Sequence, residues 1–348
     1  MEVRIFDGGM NLISIIENHT SLLWRRLYNE PGNFTLTCPI TKANVDCLKP
    51  GNIVWVKGKA DAGLIEQRIL DQSGHTNRIQ ATGRFLPAIL NRRLIYPTSY
   101  FNGKTEEIMR SMFSQAVAFP NVVLGELQGF DETVEFQALY KNLLTYEENL
   151  AKSANFGFRF RPNFGTKMIT FEIYKGLDRT KSQTDRPRVV FSEEYENLNS
   201  IKYTENTQLH KNVCVIGGQE NEGYKYYETV GDTTSTGYNR RETYYEASDV
   251  SSEGLTWAQY VAALRAKGQM VLDQSRAADT FECTIRINGN FVYGRDYDVG
   301  DVVTIEKPSW GLSKDMRLTE VTEVYETEIP RLDVVLGDPL PTTINWEV

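Results

Sequence analysis

Apolar and polar residues alternate in short runs at both ends of the chain, and helical spacing is confined to its middle. "NFTLTCPI" (33–40) and "NIVWVKG" (52–58) are rich in β-branched and aromatic residues and predict strands. "LIEQRIL" (64–70) and "NRIQATG" (77–83) flank the turn "DQSGH" and predict a hairpin. Near the other end, "VVTIE", "MRLTEVTEVYE" and "RLDVVLG" read the same way, with Pro330 marking the last turn. Between these regions, 104–117 puts Ile108, Met112 and Phe113 on one stripe, and 141–154 does so with Leu143, Leu144, Tyr146 and Leu150. The segment 256–276 opens on the capping-box pair Thr256 and Gln259. Trp257, Val261, Leu264 and Val271 then form its expected apolar side, with Gly268 expected to weaken or bend it. "FGFRFRP" and "KMITFEIYKG" predict a strand pair with one wet face. The polar, Gly- and Tyr-rich stretch 217–254 predicts a long hairpin or a flexible projecting loop.

One pattern occurs twice. "KPGNIVWV" (49–56) and "DVGDVVTI" (298–305) share x-x-Gly-[Asn/Asp]-[Ile/Val]-Val-x-[Val/Ile]. After each glycine follow a strand, a loop, a strand, a turn and a strand, closing near Gly83 and Gly337. Either this is a structural duplication, or two unrelated meanders solve one turn problem. A duplication has a consequence for assembly. Two similar modules per chain let a threefold trimer present six similar surfaces to a sixfold partner.

With 348 residues, the chain exceeds one comfortable core, so two or three domains are expected. Hydrophobic content of 41% and charged content of 24% suit a soluble globular protein. No apolar run approaches the ~18 residues of a membrane span. The start shows no basic region leading into an apolar stretch, so folding in a cytoplasm is expected. Net charge of −8 argues against general nucleic-acid binding, which needs a basic face. Cys38, Cys47, Cys214 and Cys283 form no C-x-x-C pair and are expected to be reduced, partly buried thiols. The sequons at Asn18 and Asn33 are chance matches without a secretory route.

Candidate chemistry is thin. Asp296, Asp298 and Asp301 crowd six positions, as a calcium loop would. But position five counted from Asp296 is Gly300 and position twelve is Lys307, so a turn into Val302–Ile305 is the better reading. His19, His75 and His210 have no metal-ligand spacing, and no G-x-S-x-G elbow occurs. Cys38 and Cys283 sit in strand-like runs, where a thiol usually packs. Glu193, Glu194 and Glu196 read as a solvated edge. "GGQENEG" lacks the Lys and Ser/Thr of a phosphate loop. No catalytic, cofactor-binding or metal-ligating residue is therefore assigned. Tyr224, Tyr226, Tyr227, Tyr238, Tyr244 and Tyr245 could stack on sugars or seal a subunit interface.

Several segments carry a resemblance in order: "LLWRRLYNEPGNFTLTCPI" (22–40), "GLIEQRILDQSG…IQATGRFLPAILNRRLI" (63–95), "FEIYKGLDRT" (171–180), "VVFSEEYENL" (189–198), "NRRETYYEASDV" (239–250) and "DYDVGDVVTI". Together they resemble the hub proteins at the tip of phage and prophage tails. More closely, they resemble siphophage and Gram-positive prophage tail proteins similar to the amino-terminal part of tail-associated lysins. The resemblance implies a β-rich α+β fold with two tube-like β-barrel domains. On this reading 1–98 is the first barrel, 99–190 a middle α+β domain, and 191–348 the second barrel with an inserted loop (217–254) and helix (256–276). It implies a non-enzymatic baseplate hub, homotrimeric at the virion tail tip and assembled in the host cytoplasm. Its partners would be the tail tube or distal tail ring protein and a spike, fibre or tail-associated lysin. DNA would cross its channel without specific binding, and no membrane or cofactor would be involved. Many relatives continue into a lysozyme, peptidase or fibre region. The chain stops at Val348, so hydrolysis is expected from another protein. The alternative is a cell-wall-directed tail-tip protein, either a carbohydrate-binding module or a peptidoglycan hydrolase.

Overall fold

The computed structural model describes residues 1–337 apart from 75, 117–118, 120, 222, 287–288 and 327–329. His75, Val117 at the end of the first expected helix, most of the turn before Pro330, and the tail 338–348 lie outside the described residues.

Eight strands carry the architecture: β1 (Ser21–Leu27), β2 (Asn33–Pro39), β3 (Gln67–Ser73), β4 (Thr76–Arg84), β5 (Leu198–Asn206), β6 (Ala278–Ile285), β7 (Leu312–Glu326) and β8 (Arg331–Gly337). Among the described residues they join in the order β5-β6-β8-β7-β1-β2-β4-β3. Alternation explains the layering. In β1, Leu22, Trp24 and Arg26 are buried, whereas Ser21, Leu23, Arg25 and Leu27 are half-exposed; β2 repeats this with Phe34, Leu36 and Cys38. One face of the sheet is therefore dry and the other wet.

Each half covers its dry face separately. In the first half, strands Val3–Phe6 and Ile53–Val56 pack Val3, Ile5, Val54 and Val56 against Leu22, Trp24, Phe34, Leu36 and Ile79. In the second, Val190–Ser192 and Val302–Lys307 pack Phe191, Val303 and Ile305 against Phe281, Leu318 and Val334. The fold is β-rich α+β, as expected. No barrel closes among the described strands. The strands expected to form two tubes run instead into one open sheet.

A third core is built by the helices Thr105–Ala116 and Leu143–Ala154 on the hairpin Gly157–Asn163 and Met168–Tyr174. Both helical stripes face that core as predicted.

The stretch after 213 departs from expectation. It is neither a simple hairpin nor a loose loop. Val213–Asn221 pairs antiparallel with Tyr224–Gly231 and parallel with Glu242–Glu246. The helix Trp257–Gln274 covers this sheet over a core of Cys214, Ile216, Tyr260, Leu264 and Val271. Trp257 is not on the buried side: it is 59% exposed and edges onto Tyr226 instead. Gly268 does not break the helix. A Cβ there would lie 2.3 Å from Ile216 Cδ1, so glycine sets how closely helix and sheet approach.

Glu147 lies fully buried in the third core, and neither carboxylate oxygen has a hydrogen-bond partner among the described residues. Burial pushes its pKa well up, so the folded state holds the carboxyl protonated. Unfolding then releases that proton at pH values between the ordinary carboxylate range and the raised folded pKa. The group's stabilisation is complete below that range and lost as pH rises toward the folded pKa. Glu147→Gln is therefore expected to raise the unfolding midpoint at pH 7 and leave it little changed at pH 4, as read by thermal denaturation monitored by circular dichroism.

Candidate functional site

The three crowded aspartates are engaged within the chain. Asp296 is paired with Arg295, which draws its pKa down to about 2, and it accepts from Val292 N at 2.7 Å. Asp301 accepts from Leu177 N (2.7 Å), Arg179 Nε (2.8 Å) and Asp298 N (3.0 Å), tying the 177–179 segment to the turn. Asp298 caps Val299 N at 2.8 Å and pairs with Arg26. Among the described residues no cluster of three or more His, Cys, Asp or Glu could hold a metal ion. The four cysteines are free and buried. Burial raises Cys38 and Cys283 to about 12 and Cys214 to about 11, so these thiols stay protonated and packed. Nδ1 of His19 and Nδ1 of His210 are buried without a hydrogen-bond partner among the described residues, and burial lowers the pKa of His19.

The repeat, by contrast, is written into the backbone. Gly51 has φ +94° and Gly300 φ +97°, a region that glycine occupies without penalty. Gly51 N donates to Ile65 O at 2.8 Å, and Ile65 N returns a bond to Asn52 O at 2.8 Å. Gly300 N donates to Leu318 O at 2.7 Å, and Leu318 N returns one to Asp301 O at 2.8 Å. Ile53–Val56 then pairs antiparallel with Ala62–Leu64, as Val302–Lys307 does with the first part of β7. Beyond this point Gln67 faces Thr82 and Glu320 faces Val335, so β3–β4 and β7–β8 are equivalent hairpins.

The duplication reaches further than the sequence indicates. Hairpin β1–β2 is laid beside β4 with Phe34 opposite Gly83, and β5–β6 beside β8 with Phe281 opposite Leu336. Trp24 faces Phe34 as Tyr203 faces Phe281. The 213–274 module, inserted between β5 and β6, separates the second hairpin's strands and hides this half of the repeat. The flanking strands differ: Val3–Phe6 runs antiparallel to its partner, and Val190–Ser192 parallel.

The two units meet head to tail where β7 pairs with β1. Glu320 lies opposite Leu27, Thr322 opposite Arg25 and Val324 opposite Leu23. On the wet face Arg25 grips Glu320 through two bonds of 2.6 Å. On the dry side Arg26, 8% exposed, lies 2.7 Å from Asp61 of the first unit, pairs with Asp298 of the second and donates to Tyr293 Oη at 2.5 Å. Burial alone would disfavour its charge. The facing carboxylates outweigh that and hold its pKa well above the ordinary arginine value. Lys59 and Glu323 close the same seam.

This arrangement leaves β3 and β5 as the sheet's outer strands. Four ion pairs lie on the wet face: Arg25–Glu320, Arg78–Asp71, Lys202–Glu282 and Arg331–Asp333. On the inserted module Tyr224, Tyr227, Tyr238 and Tyr244 are exposed, whereas Tyr245 packs on the module's core and Tyr226 on Trp257.

The family described as "Siphovirus ReqiPepy6 Gp37-like protein" matches residues 2–338. No curated protein matches the sequence. Among solved structures, the chain is similar to the 43 kDa tail protein of prophage MuSo2 from Shewanella oneidensis, with a TM-score of 0.60 and 15% identity, covering 97% of this chain and 98% of that one. It is also similar to a tail protein from Neisseria meningitidis MC58, with a TM-score of 0.62 and 13% identity over 97% and 96% of the two chains. For the prophage tail protein gp18 from Listeria monocytogenes EGD-e the values are 0.55 and 14%, over 97% and 95%. At such identities the likeness is one of fold.

The Arg26 seam is testable in the isolated chain. Arg26→Met leaves Asp61 buried and uncompensated. It is expected to lower stability by about 3–5 kcal/mol in urea titration. Arg25→Met, at the half-exposed pair, is expected to cost about 1 kcal/mol or less.

Proposed function

Since this chain belongs to the Siphovirus ReqiPepy6 Gp37-like protein family, we propose that it is a non-enzymatic hub of a phage or prophage tail tip, a ring of three copies around the channel that DNA crosses. The ring joins the sixfold tail tube, or a distal tail ring, to a threefold spike, fibre or tail-associated lysin. The observation that carries this reading is the head-to-tail doubling of one β unit within the chain. Three chains then offer six near-equivalent units, the number a sixfold tube requires, while the differing flanks keep the assembly threefold.

The wet face supports the same reading. Each arginine and lysine named on it is matched by a carboxylate, so a passage lined by this face offers phosphates no strip of free cations. The two tubes of the first expectation become, on this reading, two arcs of one annulus closed by neighbouring copies. The division at 98/99 and 190/191 is retained as the proposed boundary between the arcs and the middle domain. The exposed tyrosines of the inserted module favour a second reading for that module alone, contact with cell-wall glycan.

Light scattering of the purified protein at high concentration, with negative-stain imaging, tests the proposal. A mass three times the 39.7 kDa chain and a ring with a central hole are expected. A compact monomer that cleaves peptidoglycan would overturn it in favour of a hydrolase, and tight glycan binding by a monomer would favour a carbohydrate-binding module.

A further inference from the structure

The helix Trp257–Gln274 covers one face of the inserted sheet, and the other face is built around a glycine. Residues opposite one another on neighbouring strands share a face. Gly217 lies opposite Tyr227 on one side and Glu246 on the other, and the next row on this face is Thr229, Val215 and Tyr244. A Cβ at Gly217 would overlap the Tyr244 hydroxyl and crowd Lys225 Cε. Tyr244 thus reaches over to the central strand, and its ring lies along the sheet instead of standing away from it. Two bonds fix it there. Tyr244 Oη donates to Glu246 Oε2 at 2.6 Å, and Lys225 Nζ donates to the same oxygen. The Lys225 and Tyr244 bonds hold the Glu246 pKa below the ordinary carboxylate value, so it stays an acceptor beside the ring.

We propose that this face binds an uncharged pyranose chain, with Tyr244 as the stacking platform, Tyr227 as a second aromatic contact and Glu246 as the acceptor for a sugar hydroxyl. This rests on the second reading given above for the inserted module and supplies its site.

Three features select that occupant. The first is shape. Tyr244 and Tyr227 are 52% and 56% exposed, and a flat, amphipathic ring suits the C–H face of a pyranose. Because Glu246 already holds Tyr244, little rotamer freedom remains to be lost on binding. The second is composition. A protein interface has an apolar core, whereas the one aliphatic side chain in these two rows is the half-buried Val215. The third is charge. Lys225 on this face is matched by Glu246, and Arg240 beside it by Glu242 at 2.6 Å. Matched pairs give a phosphodiester polymer nothing to gain, and a neutral chain needs no counter-charge.

Isothermal titration of the full chain with chitohexaose, an uncharged N-acetylglucosamine oligomer, tests the site, with released peptidoglycan glycan strands as a second ligand and a glycerol-phosphate polymer as the charged comparison. Saturable binding of the oligomer is expected, and much weaker binding of the phosphate polymer. Tyr244→Ala is expected to lower affinity about tenfold. Tyr244→Phe, which keeps the ring but frees it from Glu246, should lower it about threefold. Gly217→Ala, whose Cβ displaces the Tyr244 hydroxyl, should lose as much as Tyr244→Ala; if its circular dichroism shows misfolding, the two Tyr244 variants decide. Tyr238→Ala, in the turn Gly237–Asn239 away from this face, should bind as the wild type does. If the wild type binds sugar and the Tyr244 variants bind equally well, the module holds glycan elsewhere: the second reading stands and this site falls. If the wild type binds neither sugar ligand, the second reading falls and takes the site with it. Equal or tighter binding of the phosphate polymer overturns the uncharged class. Loss of Tyr244→Ala from tail particles with sugar binding intact would give the face to a protein neighbour.

Discussion

The pairing of β7 with β1 is the contact on which the rest of the molecule depends. It joins residues 21–27 to residues 320–326 across nearly the whole chain. The seam is held on both sides. Arg25 and Glu320 lock its wet face, and the buried Arg26 draws Asp61 from one unit and Asp298 from the other. A buried guanidinium is worth having only where its carboxylates are fixed, which makes it a device for register more than for raw stability. Here it helps fix which residue of β7 faces which residue of β1.

The units themselves are sustained by separate apolar cores, one around Trp24 and Phe34 and one around Phe281 and Phe191. Strands β1, β2 and β8 alternate between their unit's core and the wet face. Neither half closes on itself among the described strands. The open ends are thus a property of the order in which the strands lie, and a second copy of the chain is the simplest partner that carries both complementary edges.

How much of this can be read from the sequence varies with how local the cause is. The Gly-[Asn/Asp] turns at Gly51 and Gly300 are legible because a positive φ followed by a β-branched run is a local event with a short signature. The two amphipathic helices are legible through their spacing. The matching hairpins β1–β2 and β5–β6 are not, because a folded module of its own sheet and helix separates β5 from β6. That module reads as loose in the sequence because its outer face is polar and its sheet contains Gly217 and Gly218. Gly268 reads as a weak point because the tight approach of Ile216 is a tertiary fact that no local pattern records. The Asp298–Arg26 pair spans 272 positions, so an aspartate that looks like turn furniture is also half of the seam.

A map of the assembled particle at a resolution that separates strands tests this most directly. Three copies arranged as a ring around a central channel are expected. A single copy at that place, or copies that enclose no channel, would contradict the ring.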